Sequence, residues 1–264
     1  MSVQPKKHLG QHFLTDENIC RKIVEQYINF GGTNNVLEIG PGMGAITKYF
    51  LNIEDIHLEV MEIDTESVAY LEENYPQLKN KIHGEDFLKT DLAPFFNGEK
   101  FAVVGNFPYN ISSQILFQCI KYRNQVPEIM GMFQKEVAER VAEPPGSKKY
   151  GILSVMMQTY YDIKYCFTVS ENVFNPPPKV KSGVIRCVRN KRTELPVDEK
   201  LFERVVKSTF NQRRKTIKNG LKAICDVSLL PEQEHPFLKQ RAETLSVDDF
   251  IELTKMVDLA IKKV

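Results

Sequence analysis

The sequence predicts an α/β protein in which a doubly wound sheet is followed by a small all-α domain. Three observations predict this. Short apolar runs alternate with amphipathic, helix-like segments from about residue 16 to residue 190. One of those runs, Val36-Leu37-Glu38-Ile39-Gly40, leads into Pro41-Gly42-Met43-Gly44-Ala45, a strand followed by a glycine-rich turn and a helix. Such a turn lets backbone N–H groups approach a ligand closely. After Asn190 the strand signal stops, Lys191 to Pro196 reads as a linker, and only helical patterns follow. The expected domains are therefore 1–190 and 191–264.

In chain order, residues 5–14 form a basic lead-in interrupted by Gly10, and Phe13 and Leu14 are rings and chains that need something to bury against. Thr15 or Asp16 can cap a helix to about Tyr27. After the first strand and a helix at about 46–51, a second strand at about 56–63 ends at Glu62 and Asp64, and a helix spans 65–74. Lys81 to Gly84 is a third short strand, closed by Glu85-Asp86-Phe87. Phe101 to Gly105 is a buried strand, and Asn110-Ile111-Ser112-Ser113 offers caps for a helix to about Tyr122. Ile129 to Phe133 is a strand, Lys135 to Val141 a helix, and Ile152 to Tyr160 an apolar helix. Tyr165 to Val169 and Gly183 to Val188 read as a closing antiparallel pair around a stiff loop, Phe174-Asn175-Pro176-Pro177-Pro178-Lys179-Val180-Lys181. Helices are expected at about 198–209, 213–224 and 246–262, the last capped by Ser246 with Asp249 three positions on.

The 264 residues are 42% hydrophobic, enough for a substantial core, with no 18-residue apolar run to span a membrane and no signal-peptide stretch at the N-terminus. Five scattered cysteines without a Cys-x-x-Cys and five histidines without ligand spacing argue against disulfides and metal, and for a cytoplasmic protein. The net charge is only +1, but Lys200 to Lys222 holds eight Lys/Arg against one acid, Glu203. Such a run is either a solvated face or a contact for phosphates.

Two stretches carry chemistry. Gly40-x-Gly42-x-x-Ala45, with Glu62 lying 22 residues after Gly40, fits a nucleotide-type cofactor whose ribose hydroxyls the acid binds. The spelling suits a nicotinamide dinucleotide and S-adenosylmethionine alike. Asp86, at a third strand end, is placed for an adenine amino group, a loop role or a helix cap. The second stretch is Asn106-Phe107-Pro108-Tyr109. Pro108 ends the strand and exposes an amide, a free carbonyl and an aromatic ring. The amide and carbonyl can accept hydrogen bonds from an exocyclic amino group, and the ring can stack on its base. The plainer alternative is a proline-terminated strand with two core rings.

Gly10-Gln11-His12-Phe13-Leu14, the Val36–Gly42 run, Glu62-Ile63-Asp64, Asp86, Asn106-Phe107-Pro108-Tyr109-Asn110-Ile111-Ser112, Phe174-x-Pro176-Pro177-Pro178-Lys179-Val180 and Arg213-Arg214-Lys215 occur in that order. Together they resemble the small-subunit ribosomal RNA adenine N6,N6-dimethyltransferases of the kasugamycin-resistance type, over about residues 5 to 260. The resemblance implies a Rossmann-like, S-adenosylmethionine-dependent methyltransferase domain and a helical RNA-binding domain. It implies dimethylation of two adjacent adenosines in the 3′-terminal hairpin of 16S rRNA within an assembling small subunit; the sequence gives no sign of an oligomer, and a monomer is expected. By that match Gln11, His12, Leu14, Gly40, Gly42, Glu62, Asp86 and Asn106 border the cofactor. Gly40 lies under its methionine part and Glu62 holds the ribose. Phe174 covers the target base or shapes the entrance. Lys148, Lys149, Lys179 and Lys181 flank the active-site mouth, and Arg213, Arg214, Lys215, Lys218 and Lys222 meet phosphates. His12 and Phe107 stand where such proteins often carry Asn and Leu.

The expected chemistry needs no strong base. Asn106 Oδ1 and the Phe107 carbonyl each accept one N6–H, which aims the nitrogen lone pair at the methyl group, and Tyr109 holds the base by stacking. The competing readings are the sister family acting on large-subunit rRNA, a ribosome-assembly factor that only binds RNA, a DNA adenine methyltransferase and a nicotinamide dehydrogenase.

Overall fold

The structure, a computed structural model, describes residues 3–27, 32–231 and 234–263. The chain forms two compact units, residues 1–139 with 161–189, and residues 140–160 with 190–264.

The first unit opens with a single 3-10 turn at Lys7–Leu9, the two-residue strand β1 (Phe13–Leu14) and helix α1 (Glu17–Val24). Asp16 is the residue that caps α1, accepting from the amides of Asn18 and Ile19. Then come β2 (Asn35–Ile39), α2 (Thr47–Phe50), β3 (His57–Met61), α3 (Thr65–Asn74), β4 (Ile82–His83), β5 (Ala102–Asn106), α4 (Ser112–Lys121) and β6 (Glu128–Gln134). Helix α5 (Lys135–Ala142) leaves the unit. It resumes with β7 (Tyr161–Val169), β8 (Phe174–Asn175) and β9 (Ser182–Arg189).

Seven strands make one sheet in the order β4-β3-β2-β5-β6-β9-β7. The first five are parallel, while β9 runs antiparallel between β6 and β7. All five residues of β2 are buried, as a central parallel strand covered on both faces must be. The strand order reverses between β2 and β5, and the crevice outside their carboxyl ends is where such sheets bind ligands. The closing pair is as expected, with a bulge between Tyr165 and Phe167. One pairing lies outside the sequence reading: β1 and β8 form a two-stranded ribbon, with Phe13 opposite Asn175 and Leu14 opposite Phe174. Leu14 and Phe174 both enter the core beside Met132 and Val184.

The expected cap of α4 is corrected. Ile111 occupies the cap position without a side-chain bond. The serine hydroxyl at 112 donates instead to the Tyr109 carbonyl at 3.2 Å, because the Pro108 turn runs straight into the helix.

The second unit contains α6 (Ile152–Tyr160), α7 (Glu199–Asn211), α8 (Ile217–Leu221), α9 (Pro236–Lys239) and α10 (Val247–Ile261). The division at residue 190 is corrected for Arg140–Tyr160, which belongs to this unit. The reason lies in α6, where Leu153 to Met157, Thr159 and Tyr160 are all buried. A helix apolar on nearly every side needs helical neighbours. Phe210 of α7 stands 6.1 Å from the Tyr150 ring and stacks on Phe250 of α10 at 5.8 Å. The capping box of Ser246 and Asp249 is present. The helix expected over 213–224 shrinks to α8, since Arg213, Arg214 and Lys215 lie in a turn closed by Lys215 N–H to the Gln212 carbonyl at 2.7 Å.

Candidate active site

A cavity of about 200 Å³ opens at the carboxyl ends of β2 and β5. The turn after β2 forms one wall. Gly42 has φ +57, and a Cβ there would meet the Phe13 ring at 2.8 Å, so the β1 ribbon closes on the turn only because the residue is glycine. The Gly42 amide donates to Glu62 Oε2 at 3.1 Å, and the Asp64 amide donates to Glu62 Oε1 at 2.9 Å. Burial pushes the Glu62 carboxyl above its ordinary value, and these two bonds hold its orientation. Each oxygen keeps a further lone pair for a hydroxyl.

The opposite wall is the end of β5. Asn106 Nδ2 donates to the His12 carbonyl at 3.0 Å. The partner can only accept, so the amide is oriented, and Oδ1 is the atom with acceptor capacity to spare. Phe107 is buried, its amide donating to Met132 O at 3.1 Å. Its ring fills a bay above two glycines that face each other across β5 and β6, Gly105 and Gly131. A Cβ on Gly131 would lie 2.3 Å from Phe107 Cε2 and 2.5 Å from the Gly105 carbonyl oxygen. The ring packs 4.8 Å from Phe133. The Phe107 ring is thus accommodated inward, and the residue still lines the cavity. Tyr109 also lines the cavity, its hydroxyl bonded to the buried Ser182 hydroxyl and its ring 5.4 Å from His12.

The lead-in is tied down at three points. Lys6 Nζ and Gln11 Nε2 both bind the Asp64 carboxylate, the latter at 3.0 Å. The β1–β8 ribbon adds Thr15 N–H to the Val173 carbonyl at 2.9 Å. The His12 ring donates Nδ1–H to the Pro176 carbonyl at 2.8 Å, which fixes its tautomer. The segment that bears the Asn106 partner is therefore itself held by the proline loop.

These features meet known proteins at full length. The family described as ribosomal RNA adenine dimethylase matches residues 3–258. The chain belongs to the ribosomal RNA adenine dimethylase family. Relatives named ribosomal RNA small subunit methyltransferase A include one from Cytophaga hutchinsonii, 54% identical over 97% of this chain and 98% of its own length. One from Flavobacterium johnsoniae is 54% identical over 97% of each. Among solved structures, a dimethyladenosine transferase from Plasmodium falciparum superposes with a TM-score of 0.77 at 22% identity, covering 96% of this chain and 99% of its own. The 23S rRNA methyltransferase ErmE gives 0.66 at 24%, covering 93% and 99%. At such identities the likeness is one of fold, and it agrees with the α/β methyltransferase architecture expected above.

In this dimethylase the structure brings Gln11, His12, Leu14, Gly40, Gly42, Glu62, Asn106, Phe107, Pro108 and Tyr109 around one cavity. Three expected residues behave differently. Asp86 does not line it: its Oδ1 accepts the Leu88 amide at 3.0 Å and its Oδ2 faces Lys89 at 3.3 Å. Phe174 is 4% exposed in the core, because β8 turns its ring inward beside Leu14, so it does not cover a base in this conformation. Arg213 is not a free cation. Its Nε binds Glu243 at 2.9 Å and its guanidinium reaches the carbonyls of Ser147 and Tyr150 at 3.2 and 2.9 Å. Lys148, Arg214, Lys215 and Lys222 of the second unit are exposed, as are Lys179 and Lys181 of the first; Lys149 is also exposed and Lys218 half-buried.

Glu38 was missed. It lines the cavity with 1% exposure, and neither carboxylate oxygen has a hydrogen-bond partner among the described residues. Burial pushes its carboxyl up to about 8. The signal was in the sequence as the one acid inside the apolar run 36–40. Glu17 and Lys48, also in the lining, carried no motif.

Proposed function

We propose that the cavity binds S-adenosylmethionine and that the enzyme uses it to dimethylate N6 of two adjacent adenosines in the 3′-terminal hairpin of 16S rRNA. The observation that carries this is the Asn106 amide, oriented by the His12 carbonyl so that Oδ1 is left as an acceptor beside a buried, ribose-ready Glu62. The small-subunit assignment draws on the relatives at 54% identity, whose names specify that subunit.

The residues fit the cofactor. Gly40 and Gly42 let the backbone come close to its methionine part, Glu62 accepts from the ribose, and exposed Ile63 offers an apolar platform for the adenine. Asp86 lies outside the lining, and its Oδ2 reaches the adenine amino group by giving up the exposed Lys89 that it faces at 3.3 Å. Glu38, ionised, answers the cofactor's ammonium, a partner for a carboxylate without a hydrogen bond among the described residues. When bound, the cofactor supplies a methyl group made electrophilic by its sulfonium.

Asn106 Oδ1 and the Phe107 carbonyl each take one N6–H of a base flipped from its stack. Two acceptors on the two hydrogens turn the lone pair out of the ring plane, toward the donor. They also stabilise positive charge developing on nitrogen. Tyr109, anchored by Ser182, stacks on the base, a contact worth about 1–3 kcal/mol. The proton of the product leaves to water, because a protonated arylamine is strongly acidic. Lys148, Lys149, Lys179, Lys181, Arg214, Lys215, Lys218 and Lys222 contact phosphates, and the enzyme acts as a monomer on an assembling subunit in the cytoplasm. Among the described residues no helix is long and apolar enough to cross a membrane.

Methyl transfer from labelled S-adenosylmethionine to purified small subunits lacking the modification tests the reading. N6,N6-dimethyladenosine mapped by mass spectrometry to adjacent 3′-terminal positions is the expected result. Transfer to large-subunit rRNA alone overturns the substrate assignment.

A further inference from the structure

Three carboxylates, Glu17, Glu38 and Glu62, and a single lysine, Lys48, line the cavity, which holds no arginine among its described lining. An amino-acid zwitterion needs an anion and a cation. Glu62 is committed to the backbone of the turn, and Glu38 is the carboxyl without a hydrogen-bond partner among the described residues, which the cofactor's ammonium would ionise. Lys48, the one lysine of that lining, is therefore the side chain available to a carboxylate there. It is already engaged: Lys48 Nζ binds Glu17 Oε1 at 2.6 Å, while Glu17 Oε2 takes the Tyr49 hydroxyl. The Lys48 and Glu17 side chains are 39% and 52% exposed, and an ion pair so open to water contributes little and exchanges readily. Glu17 would not be stranded by the exchange, since Tyr49 keeps one of its oxygens and Arg21 lies over the same Tyr49 ring at 5.7 Å.

We infer that Glu17 is an internal stand-in for the cofactor's α-carboxylate: on binding, Lys48 exchanges Glu17 for that carboxylate and becomes a specificity residue for the amino-acid end. The inference rests on the reading of the cavity as a cofactor site. It gives the two members of one ion pair opposite effects. Lys48→Met removes the carboxylate's partner. Glu17→Gln removes a competitor for Lys48 and an anion that repels the incoming carboxylate.

Isothermal titration of S-adenosylhomocysteine, which carries the amino-acid end, and of 5′-methylthioadenosine, which lacks it, separates the possibilities. Lys48→Met is expected to weaken S-adenosylhomocysteine about tenfold, as removal of one charge-assisted hydrogen bond would, and to leave 5′-methylthioadenosine within about twofold. Glu17→Gln is expected to tighten S-adenosylhomocysteine by a few-fold. Equal binding of S-adenosylhomocysteine by both variants and the parent overturns the inference, as does a Lys48→Met loss of the same size for both ligands. A parent protein that binds neither ligand overturns the cofactor reading itself.

Discussion

The cavity wall and the basic turn at 212–216 use polar residues in opposite ways. At the wall, Glu62 and Asn106 are held by backbone groups, and Glu38 is buried without a hydrogen-bond partner among the described residues. In the turn, Arg214 and Lys215 stand in solvent, and only Arg213 is built into the fold, through Glu243 and two carbonyls. A fixed acceptor in a cavity acts by position, and a solvated cation acts by charge. Removing the first should therefore cost rate, whereas removing the second should change how binding responds to salt. The two regions are separated most sharply by three measurements.

The largest effect belongs to Asn106. Asn106→Ala should lower kcat by about 10²-fold or more, the scale of losing one preorganised polar group at the reacting atom. Affinity for S-adenosylhomocysteine should fall much less. Single-turnover methylation of small subunits at saturating cofactor reads this directly, and near-normal turnover would remove Asn106 from the mechanism.

Glu38 gives the next effect, through pH. Its folded value of about 8 lies above its ordinary 4.5, because burial disfavours the anion and the nearby Glu62 charge adds to that. The folded state thus holds a proton that the unfolded state loses between those values. The stabilisation it represents is fully present below 4.5 and is lost as pH rises to about 8. Glu62, raised in the same direction, adds to the slope. The melting temperature should fall from pH 5 to pH 8, and Glu38→Gln should flatten that fall. The same variant should bind S-adenosylhomocysteine about tenfold more weakly, having lost a charged partner for the ammonium. A melting profile unchanged by Glu38→Gln would mean that the carboxyl is already ionised in the free protein.

Much of this was legible in the sequence, for a physical reason. Three of the parallel strands are apolar runs closed by a glycine, an acid or an amide, Gly40, Glu62 and Asn106, and these closing residues line the crevice. What escaped depends on partners far along the chain. The β1–β8 ribbon pairs residues 13–14 with 174–175, and two-residue strands carry no periodicity. Phe174 therefore read as a ring at the entrance, although the pairing turns it into the core. The bay under Phe107 needs Gly105 and Gly131 in register, a fact of strand pairing and not of either local sequence. Helix α6 read as part of the sheet domain because its neighbours α7 and α10 lie some 50 to 100 residues later.

The charge run is where the sequence overcounts, and a salt titration gives the last and smallest effect. Removing one cation that neutralises a phosphate should reduce the slope of log affinity against log salt by about 0.7–0.9. Lys215→Gln and Arg214→Gln should each do so when binding to the hairpin RNA is followed by fluorescence anisotropy from about 50 to 200 mM salt. Arg213→Gln should leave the slope unchanged, because its guanidinium is spent on Glu243, Ser147 and Tyr150. It should instead lower stability by on the order of 1 kcal/mol, a modest figure because the side chain is 36% exposed and the ion pair is partly screened. The same three bonds hold the turn that carries Lys148 and Lys149, so affinity at any one salt concentration should still weaken. A reduced slope for Arg213→Gln would return that arginine to the phosphate-binding set and show that its ties within the helical unit give way on RNA.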